Sequence, residues 1–458
     1  MVDLHERNAA LTAENAALRA EVAALQARIA ELEARLSQDS TNSHRPPSSD
    51  GPAAVAERPE RKPSGRKRGG QKGHRGRWRA MLPPDEVVAH TPAQAHCGCG
   101  AAWELAAEPR VLEEVELPPV QAHVIHHHYF TGRCPACGAA DDAGWRAQQA
   151  RGVAGPRLVA FAALLVGRYH VTRRGLQSLF SELLGLRLSL GALSLNEGRL
   201  SRALAQPYEE IRAALRREPH VHADETGHRR EGRRAWLWTL TAGALVLYRA
   251  AASRSAAVAH ELLDGFAGIT VSDRYGGYNW LPVERRAVCW AHLLRDFRAL
   301  ALREPEWAQW LVWRSENMFR YLASIRDRPP GDPRRARYLA SLRRAFRRAL
   351  DERAEGPAGP GRGFARRLRK LEPALWAFAA DPAIPPTNNA AERALRPYVI
   401  HRKISLGTQS ERGDRLLERL LSVIQSARGL GLEPFAYLTA ALQAAHEGQP
   451  APRLLPAP

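Results

Sequence analysis

Three features of the 458-residue sequence predict a multidomain α+β protein. Leucine recurs at every seventh position through the first 36 residues. Four of the five cysteines form two close pairs, at Cys97/Cys99 and Cys134/Cys137. Near residue 218, helical periodicity gives way to short β-rich runs. The expected order is a coiled coil (1–36), a basic linker (37–80), a cysteine module (81–145) and a helical domain (150–217). A mixed α/β core follows (218–300 and 385–445), split by a helical insertion at 301–384.

Composition bounds the partners. Lys and Arg number 67 against 48 Asp and Glu, a net charge of +19, and only five of the cations are lysine. Such an excess predicts a polyanion, nucleic acid first, because each neutralised phosphate releases counterions. A membrane partner is not expected: the longest apolar run, Leu158 to Val166, is too short to span a bilayer. The charged, polar N-terminus does not read as a signal peptide, so the expected location is the cytoplasm. Five cysteines in a chain of this length are no disulfide framework, and paired cysteines there point to metal.

The heptad leucines Leu4, Leu11, Leu18, Leu25 and Leu32 occupy d positions, with Met1, Asn8, Asn15, Val22, Ile29 and Leu36 at a. The narrow seam predicts a parallel homodimer, in which each a-position amide pairs with its mate. Glu14 with Arg19 and Arg28 with Glu33 add opposite charges across the seam. A single amphipathic helix would need a wider apolar stripe. From Ser37 to about Arg79 the chain is rich in Ser, Pro, Gly and Arg, with too few apolar residues for a core. Arg66, Lys67, Arg68, Lys72, Arg75 and Arg77 in this stretch suit DNA phosphates or a minor groove; the other reading is a solubilising tether.

"HCGCG" and "CPACG" can close a tetrahedral zinc site with Cys97, Cys99, Cys134 and Cys137, or can be four reduced thiols. Strands are expected around Val111–Leu117 and Val120–Phe130 between the pairs. Residues 172–207 have the length and turn of a helix-turn-helix, as does any compact helical hairpin. Then "EPHVHADETG", "RAWLWTLTAG", "ALVLYRAA", a helix near 255–266, "GITVSDRYGGY" and "RRAVCW" follow. That order is the order of an RNase H-like mixed sheet.

In such a sheet Asp224, ending the first strand, and Asp273, ending the fourth, are neighbours. Glu392 in "PPTNNAAERALRP" can join them from a later helix. Three converging carboxylates need cations to stay ionised together. Mg²⁺ fits them, and two ions can serve an in-line displacement at phosphorus. Locally, Glu392 has a second reading, a capping box with Asn389 as the cap.

"HADETG", "SDRYGGYNWL", "CWAHLLRDF" and "TNNAAERALRP" followed by "HRKISLGTQSERG" resemble successive blocks of the bacterial insertion-sequence sixty-six family of DDE transposases. The heptad start, "DSTNSHRPPSSDG", "GGQKGHRG" and the cysteine pairs follow in that family's order. The resemblance implies Asp224, Asp273 and Glu392 as a catalytic triad using Mg²⁺ or Mn²⁺, a multimerising zipper and a zinc finger. Its first cysteine pair is narrower than is usual there. The resemblance also implies that Asn388 and Asn389 support the glutamate's helix and that Arg393, Arg396, Arg402 and Lys403 meet phosphates. Cys289 and His292 match a C-x-x-H block whose role, structural or functional, stays open. The implied partners are element ends, target DNA, further copies of the chain and helper proteins of the same element. The implied location is the bacterial nucleoid. An inactive DNA-binding regulator and a related nuclease of recombination or repair are the rival functions.

Overall fold

A computed structural model describes residues 2–39, 73, 79–94, 96–146, 154–329 and 331–455. The basic linker residues Arg66, Lys67, Arg68, Lys72, Arg75 and Arg77 lie outside the described residues. Helix α1 (Val2–Leu36) runs unbroken for 35 residues, as the heptads predict. Its seam residues Leu11, Leu18, Val22, Leu25, Ile29 and Leu32 are all exposed in the single chain. Among the described residues no helix is long and apolar enough to cross a membrane.

Both cysteine pairs sit on tight turns. The Cys97 N–H donates to Ala101 O (2.8 Å) and the Cys134 N–H to Ala139 O (2.7 Å). The second turn joins the short antiparallel strands β1 (Gly132–Arg133) and β2 (Ala140–Asp141). The strands expected at 111–117 and 120–130 do not form. Val111, Leu112, Leu117, Val124 and Phe130 remain exposed there. Strand propensity needs a partner ladder and a surface to pack on, and this segment finds neither.

The helical domain comprises α2 (Pro156–Gly167), α3 (Arg173–Leu184), α4 (Leu190–Ala203) and α5 (Ala205–Leu215). Thr172 and Ser189 cap α3 and α4 by accepting from the N–H groups of Gly175 and Ala192. Arg173 is held bidentate by Glu197 at 2.7 and 2.6 Å. The N-terminal half of α4 faces a groove of about 710 Å³.

The core is a five-stranded mixed sheet of order β5–β4–β3–β6–β7. Strands β3 (His220–Arg230), β4 (Arg233–Ala242) and β5 (Leu245–Ala251) form an antiparallel meander. After helix α6 (Ala256–Leu262), β6 (Ile269–Ser272) returns parallel to β3, and β7 (Arg286–Val288) adds parallel to β6. The alternation of side chains sorts β3 by parity. Val221 and Ala223 enter a core with Ile211 and Leu215 of α5 and Ala259 and Leu262 of α6. The even positions His222, Asp224, Thr226 and His228 face the other side.

Beyond β7, α7 (Trp290–Ala301) leads into the insertion helices α8 (Pro305–Ser324), α9 (Pro333–Glu355), α10 (Pro360–Lys370), α11 (Glu372–Leu375) and α12 (Ala377–Ala380). Their apolar faces bury Val271, Ala287 and Val288 at the edge of the sheet. The chain then returns as α13 (Asn389–Ser405), α14 (Glu411–Gly429) and α15 (Pro434–His446). Leu395 and Tyr398 of α13 pack with Leu417 and Leu421 of α14 on Leu237, Tyr248 and Ala250 of the sheet. Close approach of α2 to α14 needs Gly167, where a Cβ would stand 2.8 Å from Ile424 Cδ1.

Candidate functional site

Strand register brings the two aspartates together. His222 pairs with Val271 across the parallel β3/β6 ladder. Asp224 and Asp273 each lie two residues beyond that pair, so they stand side by side at the same level. Asp224 Oδ1 accepts from the Glu225 N–H (2.9 Å) and Asp273 Oδ1 from the Tyr275 N–H (2.8 Å).

Helix α13 lies along the even-numbered face of β3. Asn388 meets His222, Tyr398 meets His228, and Arg402 donates to Thr226 Oγ1 (2.7 Å) and Gly227 O (2.5 Å). Glu392, in the first turn of α13, is thereby carried to the level of Asp224. Asn388, fully buried, holds this arrangement. Its Nδ2 donates to Ala223 O (2.8 Å), its Oδ1 accepts from His222 Nδ1 (3.0 Å) and its own N–H donates to Cys289 Sγ (3.1 Å). The Cys289 N–H in turn donates to Ser272 O (2.9 Å). One asparagine and one cysteine therefore tie together the residue before Asp224, the residue before Asp273 and the start of the Glu392 helix. Burial lowers His222 to about 4, so this ring accompanies Asn388 as a neutral donor. Burial also raises the Cys289 thiol to about 11, which keeps its sulfur a protonated, inert acceptor.

The capping box does not form. Asn388 occupies the N-cap, one residue earlier than expected, and its side chain is committed to β3. Asn389 is exposed and opens the helix. Glu392 is thus one position too far along to reach back to the cap. Its Oε1 is buried and accepts no hydrogen bond among the described residues. His292 Nδ1 lies 3.7 Å from this oxygen.

Asp224 is held well above the usual carboxylate range, first by burial and then by the charges of Glu225, Asp273 and Glu392. Beneath it, Glu225 is engaged by Arg254 (2.5 Å) and by the Tyr278 hydroxyl (2.8 Å). Burial raises Glu225 as well, against the pull of Arg254. An ionised Asp224 is therefore a cost to the fold. A folded-state pKa above 3.8 means that its contribution to stability is present below about pH 4 and is lost as pH rises toward the folded value. Asp224→Asn in chelator is thus expected to melt above wild type, by a margin that grows from pH 4 to pH 8. Thermal unfolding at several pH values checks this, and a margin that is flat or falls with pH overturns it.

A divalent cation fits what the site lacks: a buried carboxylate oxygen without a donor and a repelling cluster of acids. Among the described residues no three His, Cys, Asp or Glu side chains already converge in ligating geometry. The same holds for the cysteines, which stand as two separate pairs. In each pair N–H groups of the turn point at sulfur: those of Ala136 and Cys137 lower Cys134, and that of Ala101, with the Cys97 thiol, lowers Cys99.

Of the cations assigned to phosphates, Arg393, Arg396 and Lys403 are exposed on α13. Arg402 is committed to β3. Sequence reasoning missed His222, Glu225, Arg254 and Tyr278. The signal for His222 was present, two residues before Asp224 on the same strand face.

Residues 151–415 match the Transposase IS66 family, and residues 3–80 match a family of unknown function, DUF6444. The chain is similar to uncharacterized proteins of Sinorhizobium fredii. It is 29% identical to y4qI over 244 residues, covering 48% of this chain and 45% of that protein. It is 28% identical to y4jD over 291 residues, covering 57% and 56%. It is 25% identical to y4hP over 402 residues, covering 79% and 72%. The chain spans about half the length of the first two relatives.

Proposed function

The chain belongs to the IS66 family of transposases, and from that premise we propose that it cuts and joins DNA for an insertion sequence. In this reading it binds the element's ends, hydrolyses a strand there and transfers the freed 3′-hydroxyl to target DNA. The observation that carries the reading is the alignment of Asp224 with Asp273 by strand register, with Glu392 brought to them by the Asn388 staple. The strand order and the late helix with its carboxylate support an RNase H-like core.

Asp224, Asp273 and Glu392 would hold Mg²⁺ or Mn²⁺. A bound pair of such ions supplies activation of the attacking oxygen and charge stabilisation of the leaving one. Asn388 and Cys289 keep the carboxylates in mutual position, so that little reorganisation is left for the moment of reaction. Arg254 and Tyr278 occupy Glu225, which keeps this fourth acid directed away from the site. Arg393, Arg396 and Lys403 offer exposed positive charge along the helix that bears Glu392. The exposed heptad seam of α1 supports a homodimer or larger assembly.

We also propose that Cys97, Cys99, Cys134 and Cys137 bind one structural zinc ion, since two turns with N–H groups aimed at sulfur are suited to thiolate ligands. Protein purified without chelator should then carry about one zinc per chain. Elemental analysis finding none would overturn this.

The function is tested on DNA that carries the element's ends. Wild-type protein with Mg²⁺ should nick the duplex at a defined position and join the 3′ end to a second duplex, and chelator should abolish both. Intact DNA in both Mg²⁺ and Mn²⁺, with binding demonstrated, would overturn the reading.

A further inference from the structure

Residues 301–384 hold 18 Arg and Lys against 10 Asp and Glu, so the insertion carries eight of the chain's nineteen net positive charges. Helix α9 sorts its arginines by partner. At 100° per residue, Leu339, Leu342, Phe346 and Leu350 form one face, and all four are buried. Three arginines on or beside this face are engaged, while Arg347, also beside it, is exposed. Arg335 donates to Phe378 O (2.8 Å), Arg343 is bidentate to Glu372 (2.6 and 2.7 Å) and Arg353 is bidentate to Glu304 (2.8 Å).

Arg337, Arg344 and Arg348 lie on the opposite side, within about 20° of one line along the helix. All three are exposed, and among the described residues none has an ion pair or hydrogen bond. Packing and pairing explain the first group of arginines and leave the second without a structural purpose. The stripe spans about 16 Å along the axis at 1.5 Å per residue, close to five base-pair steps of about 3.4 Å. Arginine forks match phosphate oxygens, and a solvent-facing row of them complements the negatively charged backbone of a duplex.

We propose that the Arg337, Arg344, Arg348 stripe on the insertion is a binding surface for the phosphate backbone of duplex DNA, read without regard to sequence. The proposal takes its ligand class from the reading of the chain as a DNA-joining enzyme. It assigns to the insertion a contact distinct from the residues of the carboxylate site.

The test uses the full chain in chelator and a duplex of unrelated sequence, with affinity measured from about 50 to 200 mM salt. Each phosphate contact contributes about 0.9 to the slope of log K against log salt. The triple variant Arg337→Gln, Arg344→Gln, Arg348→Gln should therefore lose about 2 to 3 units of slope, with an unchanged melting temperature. Two controls bracket this result. Replacing the exposed Arg217 and Arg453 by Gln lowers net charge elsewhere and should leave the slope nearly unchanged. Arg343→Gln breaks a structural pair and should lower the melting temperature while sparing the slope.

A triple variant that keeps the wild-type slope overturns the proposal and leaves the DNA-joining reading intact. An equal loss of slope per charge in the Arg217/Arg453 control also overturns it, because the effect would then be one of net charge. Wild-type protein with no salt-dependent binding to the unrelated duplex also overturns the proposal, while the DNA-joining reading is decided separately on DNA that carries the element's ends.

Discussion

Glu392→Gln should reduce strand cleavage and joining by about 10³-fold or more, while affinity for DNA ends stays within about threefold. The size follows from the role proposed for the carboxylate: cation-based stabilisation of the displacement is worth several kcal/mol, and each 1.36 kcal/mol is about tenfold in rate. Gln keeps the shape of the side chain and removes one negative charge from a surface that meets phosphates, so binding has no reason to fall. The fold should also hardly notice. Among the described residues Glu392 caps nothing and its Oε1 accepts no hydrogen bond, and its helix begins at Asn389 behind an Asn388 cap. Asp224→Asn and Asp273→Asn should show losses of similar size, and double variants should be little worse than single ones, because residues acting as a unit do not add. Single-turnover cleavage alongside a binding assay separates the effects. Wild-type joining by Glu392→Gln would remove the residue from the site.

Asn388→Ala should damage both stability and rate. The substitution deletes two buried side-chain hydrogen bonds and strands Ala223 O and His222 Nδ1 without partners. At about 1–3 kcal/mol for each of the two buried groups left unsatisfied, the loss is about 2–6 kcal/mol. That corresponds to roughly 2–4 °C of melting temperature per kcal/mol in a domain of this size. Protein that remains folded at low temperature should bind DNA normally and cleave it about 10²-fold more slowly, since a shift of about 1 Å in a catalytic group has that effect. The split between retained affinity and lost rate distinguishes positioning from general unfolding. A variant with full activity and an unchanged melting temperature would show that Asn388 does not hold Glu392 in place.

Much of this molecule can be read locally. Heptad leucines specify a long helix through a period of seven, and α1 runs the length they mark. The change from period 3.6 to period 2 near residue 218 marks the sheet, and "HADETG" and "VSDRYGGY" put Asp224 on β3 and Asp273 just past β6. Each of these signals lies within one element, where side-chain periodicity and backbone geometry are coupled directly.

Other features depend on pairings between residues far apart in the chain, and the tertiary structure alone decided them. As a short word, "TNNAAER" offers Asn389 as the cap and Glu392 as its reciprocal partner. The fold moves the cap to Asn388, because an amide buried against β3 satisfies Ala223 O and His222 together, which a solvent-exposed cap cannot do. Cys289 belongs in sequence to a C-x-x-H block of open role, and in the fold its sulfur accepts from the Asn388 N–H. Arg402 resembled its exposed neighbours on α13, but the direction of that helix across β3 turns it toward Thr226 and Gly227. The segment from 111 to 130 has strand propensity and stays outside any ladder among the described residues, because propensity supplies no partner strand. Periodicity determined which elements form and which faces they bury. The packing of α13 on β3 determined which side chains meet, because a contact between distant residues is set by register and burial that no single segment contains.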